Sequence, residues 1–474
     1  AVLPFVNMSS DPEQEYFSDG ISEEILNLLV RVEGLSVASR TSAFAFKGQA
    51  ESLAEIANIL GVDHVLEGSV RKFKDRVRIT AQLIDARTDR HLWSDTFDRE
   101  LTDIFAIQDE ISAAIVDALR TTLGVQIEKS VSASVATNNM DAYQVFLKAR
   151  SLFLFRQPLG LRQSIELFQQ AIEMDPGFAR AYEGLAAVMV VVRGYAVPPG
   201  YEPITMEEAN ATAESAARRA LEINPSLSLA HAALGQVSMD DLDYERALQE
   251  YDLAIGLDDH DAGSFLWRGL YQVQLGYIEK SLKDLRTAQK LEPDTGIYNH
   301  FLGMSLYILG RREEGMRYLQ AAYEQGRLID YLAFFESLEA EGKLGAVASV
   351  RGRLSNEQGT MVPYFMRIFD GSGDPEKARQ RFFTELEKHP EIASFIYRDG
   401  ALLAILGEHE LAADRLAARA SSAWVGMWWH YQQDFRRSPY FKARIREMRI
   451  YDYWREHGWP DFCRPVGDDD FECD

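Results

Sequence analysis

A chain of 474 residues has room for two to four domains. Its hydrophobic fraction of 46%, with 11% aromatic residues, is ample for buried cores and excludes a disordered protein. The 73 acidic residues outnumber the 50 basic ones and give a net charge of −23. Because phosphate contacts dominate nucleic-acid binding, this charge argues against direct binding of DNA or RNA by this segment.

The hydropathy pattern offers no bilayer-spanning segment. The longest uninterrupted apolar run, Leu185–Val192, is far shorter than the roughly 18 residues that cross a membrane. The chain starts at Ala1, without Met, inside a predicted strand, and it shows no signal peptide. We therefore expect a membrane anchor, if the protein has one, to lie upstream of these residues.

Residues 1–125 predict a small α/β domain with a mixed sheet. In the clearest strand, apolar residues at 77, 79, 81 and 83 alternate with polar ones, which indicates one wet face. Helical spacing follows the capping signals at 10–13, and a second helix ends at Gly61. The predicted strands are 1–6, 35–38, 65–70, 77–83 and 92–97, and the predicted helices cover about 17–32, 53–60 and 103–123.

Residues 126–140 read as a linker, and a repeat follows over 141–423. Pro225, Asp259 and Pro293 lie 34 residues apart, and Pro176 marks an earlier unit. Before each mark a small residue, an aromatic residue or leucine, and an alanine recur. The period is typical of tetratricopeptide repeats and predicts an all-α superhelix with a concave binding surface. The recurring residues are Ser164, Phe168, Ala171; Ala247, Tyr251, Ala254; and Ser281, Leu285, Ala288.

The last stretch, 424–474, differs from the repeats. It holds five of the seven Trp residues and is predicted to cap the array. Its two cysteines, Cys463 and Cys473, are the only ones in the chain, and their spacing fits either two reduced thiols or a short-loop disulfide.

The repeat register predicts which inner-helix residues line the groove. This lining is mostly apolar and lacks Lys and Arg, so a carboxylate clamp for peptide C-termini is disfavoured. An apolar groove should be filled by a partner segment or by another part of the chain, such as the tail or the insertion at 195–203. The binding candidates are Leu266, Leu270, Val273, His300, Met304 and Tyr307, and Leu229, Ala232, Gln236 and Met239 hold the same register one unit earlier.

No catalytic residue, metal site or cofactor is predicted. The chain lacks nucleophile-elbow, phosphate-loop and zinc-protease motifs, and no two of its nine His lie three or four residues apart. The acidic clusters at 240–243 and 258–261 lack the spacing of a calcium loop and are interpreted as turns between helices. The stretch Gly371–Asp374 is interpreted as a turn before a helix capped by Asp374.

Two further features each have two interpretations. The basic stretch 71–78 is either a hairpin tip or a docking patch for an anionic ligand, lipid headgroup or acidic partner. The stretch 18–20 is either a helix restart or part of a small-molecule pocket. The pocket candidates are Asp19, Arg40 and Ser42.

Several segments resemble known families. The segments 1–25 and 64–112, which contain AVLPFVNMSSDPEQEYFSDGISEEI and HVLEGSVRK, resemble the α/β module of the amino-terminal domain of the TolB translocation protein. This module followed by tetratricopeptide repeats, with the tail at 451–473, is similar to the C-terminal half of bacterial membrane-anchored signalling proteins. These proteins are CadC-like winged-helix regulators and class III adenylate or guanylate cyclases.

The resemblance implies a non-catalytic sensory or interaction region whose effector lies upstream. It also implies a protein or peptide partner and a location on the periplasmic side of the inner membrane, with the cytoplasm as the alternative. A periplasmic location favours a disulfide between Cys463 and Cys473. The alternative function is a small-molecule sensor with its ligand site in the α/β domain, in which the repeats could form a homodimer.

Overall fold

The computed structural model describes most of the chain and divides it into two compact units by internal contacts. The first unit comprises residues 1–237, 250–261 and 291–293, and the second comprises 238–249, 262–290 and 294–474. The described residues are 1–11, 14–30, 32, 34–49, 52–74, 76–100, 104–123, 137, 139–195, 197–293, 295–325, 375–388, 403, 407–417, 425–428 and 432–474.

The N-terminal part of the first unit contains a four-stranded mixed sheet. Its β1 runs parallel to β2, whereas β2, β3 and β4 are antiparallel neighbours. Val70, Ile79 and Phe97 are register partners on one face and are buried, while Arg71 and Arg78 on the other face are exposed. The strands are β1 (Val6–Asn7), β2 (His64–Phe73), β3 (Arg76–Asp85) and β4 (Arg90–Glu100).

In the described residues, four helices accompany this sheet. The third one is closed at both ends, because Ser52 and Glu55 form a capping box and Gly61 adopts a left-handed φ of 63°. This confirms the predicted helix end. The helices are α1 (Glu15–Val30), α2 (Arg40–Phe44), α3 (Leu53–Leu60) and α4 (Ile104–Leu123).

Two predictions in this part were wrong. The segment 35–38 is not a strand, because it does not pair with either edge of the four-stranded sheet. Strand-forming residues alone do not make a strand, since they are stabilised by packing against a neighbouring strand. The helix restart at 18–20 is also absent, because α1 continues through these residues. Gly20 serves close packing instead: a Cβ there would lie 2.8 Å from the Leu147 side chain.

The described residues of the basic stretch 71–78 end β2 and begin β3, two antiparallel neighbours, as the hairpin interpretation predicted. The predicted linker at 126–140 lies mostly outside the described residues, although Asn139 caps the next helix by accepting from the Ala142 amide. The predicted turn at 371–374 also lies outside them.

Helical hairpins follow at the predicted period. The inner helices α9, α11 and α13 begin at residues 228, 262 and 296, and their partners α10, α12 and α14 begin at 244, 278 and 312. Both series therefore repeat every 34 residues. The helices are α5 (Met140–Phe155), α6 (Pro158–Met174), α7 (Ala179–Val192), α8 (Met206–Ile223), α9 (Ser228–Asp240), α10 (Tyr244–Leu257), α11 (Ala262–Gln274), α12 (Ile278–Leu291), α13 (Gly296–Ile308) and α14 (Arg312–Glu324).

A glycine makes the close helix crossing in three successive hairpins. A Cβ on the glycine would come within 2.5–2.9 Å of the side chain that it faces on the partner helix. The facing residue is the aromatic or leucine position of the predicted repeat, which explains why that position must be large. The pairs are Gly235 with Tyr251, Gly269 with Leu285, and Gly303 with Leu319.

The tail in the second unit packs on the turn between α11 and α12. Trp454 is fully buried, and its Nε1 donates to the Leu275 carbonyl at 2.8 Å. The Asp461 amide donates to the Gly276 carbonyl at 3.2 Å. The elements beyond α14 are α15 (Pro375–Lys388), α16 (His409–Ala417), a 3-10 turn (Val425–Trp428), α17 (Gln433–Arg437), α18 (Pro439–Glu447), α19 (Ile450–His457), β5 (Cys463–Val466) and β6 (Asp470–Cys473).

In the structure, β5 and β6 pair as an antiparallel hairpin that a disulfide between Cys463 and Cys473 closes. Oxidation of these cysteines in the native compartment stays a prediction, and so does the role of the tail as an end cap. Among the described residues, no helix is both long and apolar enough to cross a bilayer.

Candidate interaction site

A tetratricopeptide array binds other segments through its inner helices. The residues at the binding positions of these helices differ between the early and the later hairpins. Counted from the first helical residue, Arg180 and Glu183 occupy in α7 the positions that Leu229 and Ala232 occupy in α9. The positions that are predicted to be apolar in the later hairpins are therefore charged in the second hairpin, which α7 and α8 form.

Helix α1 of the N-terminal part supplies the counter-charges. The Glu24 carboxylate accepts from Arg150 on α5 at 2.9 Å and from both terminal nitrogens of Arg180 on α7 at 2.9 and 2.8 Å. Neighbouring Glu23 pairs with Arg150 at 2.7 Å and with Arg40 at 3.1 Å. Two adjacent carboxylates on α1 thus join it to the inner helices of the first two hairpins.

This ion cluster is largely removed from water. Glu23 and Glu24 are 6% and 8% exposed. Burial lowers the pKa of Arg180, but the acidic groups around it, first Glu24 and then Tyr143 and Glu183, together raise it above its usual value, so the guanidinium stays charged. Burial raises the pKa of Glu183, which the charges of Arg180 and Arg150 oppose. Such a cluster holds α1 in one position, because either charge without the other would be costly inside the protein.

Apolar and polar contacts surround the cluster. Gly20 lets α1 approach Leu147 on α5 closely, and the Lys72 ammonium of β2 reaches the side-chain oxygen of Gln144. The Arg180 guanidinium also lies 5.1 Å from the centre of the Phe146 ring. The N-terminal part is therefore bound by the inner helices through α1, a segment that the sequence reasoning did not select.

The predicted pocket residues all have partners within the chain. Asp19 accepts from the Lys47 ammonium at 2.5 and 2.6 Å, and burial raises the pKa of its carboxyl although Lys47 opposes the rise. Arg40 binds Glu23 and lies 4.3 Å from the Phe44 ring centre, and the Ser42 hydroxyl is 2.9 Å from that of Ser39. A ligand at these side chains would have to displace internal ion pairs.

The six predicted groove residues lie on α11 and α13 of the second unit, and these helices contact each other. Burial divides the six into two sets. The first set is buried in the folded chain, whereas the second set stays half-exposed and could contact a partner. The buried residues are Leu266, Val273 and Tyr307, and the half-exposed ones are Leu270, His300 and Met304.

Two polar side chains of α11 near this surface donate hydrogen bonds within the chain. On α11, Arg268 and Gln272 both bind the Asp284 carboxylate, at 2.7 and 3.1 Å. The half-exposed set consists of two apolar side chains, Leu270 and Met304, and the imidazole of His300. This composition is expected for a surface that binds an apolar side chain. Residues 425–428 of the tail also contact α13. Filling of the groove by the tail stays a prediction.

Two clusters in the described part of the chain could in principle hold a metal ion. One combines Glu245, Glu456 and His457, and the other is the turn 258–260. All of their side chains are exposed or half-exposed, and exposed acidic groups commonly gather in this way without an ion.

Comparisons with known proteins give partial matches. No family model matches it. A curated protein named "Putative adenylate cyclase 3", from Rhizobium meliloti (strain 1021), is 43% identical over 188 residues. The alignment covers 40% of this chain and 32% of that protein, so the chain matches about a third of the relative's length.

Solved structures of repeat proteins are also similar to this chain. A thermophilic TPR protein of Thermus thermophilus shares 18% identity over 39% of this chain and 91% of its own, with a TM-score of 0.32. The pilF protein of Pseudomonas aeruginosa shares 14% identity over 54% of this chain and 95% of its own, with a TM-score of 0.30. These TM-scores are too low to establish a common fold. The tetratricopeptide architecture is therefore inferred from the 34-residue spacing of the helices.

Proposed function

We propose that this chain is a non-catalytic interaction region of a bacterial signalling protein, and that its helical repeats bind a protein or peptide. The observation that carries the proposal is the binding of α1 by α5 and α7. It is a helix held by the inner helices of a repeat array, which is the mode by which such arrays take amphipathic partners. The half-exposed surface of α11 and α13, which also lies on inner helices, offers a second and apolar place for a partner in the other unit.

The alternative function is a small-molecule sensor in the α/β domain. It would need Asp19, Arg40 and Ser42 to face a ligand. Since Lys47 neutralises Asp19 and Glu23 neutralises Arg40 within the chain, we rank this alternative second.

We further propose that the chain regulates an effector upstream of Ala1, either a winged-helix domain or a nucleotide cyclase. The resemblance to TolB-like modules with tetratricopeptide repeats supports this proposal, as does the partial match to a protein named as an adenylate cyclase. In this proposal an upstream anchor holds the chain on the periplasmic side of the inner membrane.

A peptide-display screen tests the binding role. The 474-residue chain is panned against a library of displayed peptides, and the dissociation constant of the consensus peptide is measured by fluorescence anisotropy. We expect Leu270→Glu and Met304→Glu each to weaken binding by about tenfold or more, because each puts a carboxylate into an apolar contact.

Leu253→Glu is the matched control, because Leu253 is 53% exposed on α10, outside the predicted groove register. It should leave binding unchanged. Equal loss in all three variants, or normal binding by both groove variants, would reject the α11–α13 surface as the binding site.

A further inference from the structure

Three large apolar side chains are exposed on one face of the N-terminal sheet. Phe73 is 66% exposed, Val6 is 59% exposed and Met8 is 49% exposed. Since Val6 pairs with Ser69 in the parallel register, Val6 and Met8 lie on the same face as Arg71 and Phe73. This face is exposed toward the hairpin end of the sheet, whereas farther along β2 it is covered where Val65 packs against α3, so these side chains form a patch near the tip of the β2–β3 hairpin.

Cations surround the patch. The stretch 71–78 holds five Lys and Arg residues against one carboxylate, in a chain whose net charge is −23. The Lys74 ammonium lies 5.6 Å from the Phe73 ring centre, and Arg71 donates to the Met8 carbonyl at 3.3 Å. Lys72 belongs to the opposite face, where it reaches α5.

Two carboxylates of β4 face the two remaining arginines, because Glu100 is the register partner of Arg76 and Asp98 is that of Arg78. Asp98 on β4 accepts from Arg76 at 2.7 Å and also from Arg78, and these two contacts hold the pKa of its carboxyl below the usual range. Since Asp98 and Glu100 balance the charges of Arg76 and Arg78, the excess of positive charge on this face comes from Arg71 and Lys74. The hairpin tip therefore combines a protruding aromatic ring with positive charge beside it.

We propose that this patch, Val6, Met8, Arg71, Phe73 and Lys74, docks on the surface of an anionic lipid bilayer. An exposed Phe ring is buried at the headgroup boundary of a bilayer, and Lys and Arg next to it are attracted by acidic headgroups. The patch lies at the exposed hairpin end of this sheet face, and such a projecting shape suits a broad planar surface better than it suits a single peptide chain. Positive charge is concentrated at this tip, whereas the rest of the chain is acidic. Acidic headgroups attract the tip and repel the rest of the chain, so the tip is the part that faces the membrane.

Vesicle co-sedimentation of the 474-residue chain tests the proposal. Vesicles of phosphatidylglycerol and phosphatidylcholine in equal amounts are compared with pure phosphatidylcholine vesicles at low and high salt. We expect binding to the anionic vesicles alone, and a loss of binding as salt screens the charges. Phe73→Ser should weaken binding by about tenfold, and Arg71→Gln with Lys74→Gln by about 25-fold.

Ile59→Ser is the matched control, because Ile59 is 65% exposed on α3 in the same part of the chain. It should bind vesicles as the unaltered chain does. Equal binding to uncharged vesicles, or an equal loss in Ile59→Ser, would overturn the proposal. So would self-association in sedimentation velocity that Phe73→Ser abolishes without any vesicle binding, since the patch would then bind a second copy.

Discussion

Replacing Glu24 by Gln is expected to destabilise the first unit strongly. The substitution keeps the shape of the side chain but removes the charge that both Arg150 and Arg180 contact. Arg150 keeps Glu23 as a partner, whereas Arg180 loses the carboxylate that accepts both of its terminal nitrogens. Removing one member of a buried ion pair costs about 3–5 kcal/mol. Because 20% of the Arg180 side chain is exposed, we expect the lower end, about 3 kcal/mol.

Hydrogen exchange under a denaturant gradient, read by mass spectrometry on peptides from α1, gives the free energy of opening for this unit. The matched control is Glu214→Gln, which breaks the exposed pair with Arg218 on α8. That pair should contribute at most about 0.5 kcal/mol. If Glu24→Gln opened no more easily than Glu214→Gln, the ion cluster would not be what holds α1 on the repeats.

A double substitution separates the pair from its parts. Arg180→Met alone leaves Glu24 with Arg150 only, and Glu24→Gln combined with Arg180→Met removes both charges. We expect the double variant to be more stable than the sum of the two single losses predicts, because no unpaired charge remains. Strict additivity would show that the two residues act independently and would contradict the structure.

Two more predictions concern packing and pH. Gly269→Ala should cost about 1–3 kcal/mol in thermal or chemical unfolding, because the new Cβ would lie 2.9 Å from Leu285, whereas Gly256→Ala on α10 meets nothing within 4 Å and should not destabilise. Hydrogen bonds from Lys442 and Arg446 lower the pKa of the Asp470 carboxyl. The contribution of Asp470 to the stability of the tail is therefore fully present above about pH 4, and it is lost as the pH falls through the pKa of Asp470 in the folded state. Amide protection in peptides of the β5–β6 hairpin should fall on acidification, and Asp470→Asn should lose that dependence; an unchanged pH response in Asp470→Asn would contradict this.

Local patterns in the sequence predicted the repeats well. Spacing between marker residues fixes where α9, α11 and α13 begin, because each hairpin is a local unit of fixed length. The end of α3 at Gly61 could also be predicted, since a left-handed cap is a local backbone requirement. In contrast, the segment 35–38 has strand-like residues but no partner strand, and a partner is a tertiary property.

The interaction site was harder to predict for the same reason. Glu23 and Glu24 read as ordinary acidic residues within a helix, and nothing nearby in the sequence indicates that they face Arg150 and Arg180. One signal was available: extending the groove register one unit toward the N-terminus places Arg180 on the inner face. A cation on the inner face needs an acidic partner when it is buried, but the sequence does not show which of the 73 acidic residues is that partner.

The pairing of α1 with the repeats also sets an order of events during synthesis. Glu24 and Arg180 are 156 residues apart, so the seat of α1 is incomplete until the second hairpin has left the ribosome. At about 5–20 residues per second, the delay is on the order of ten seconds. Through that time the inner face of α1 is uncovered, and a chaperone that shields an acidic, amphipathic helix would find its target in this interval.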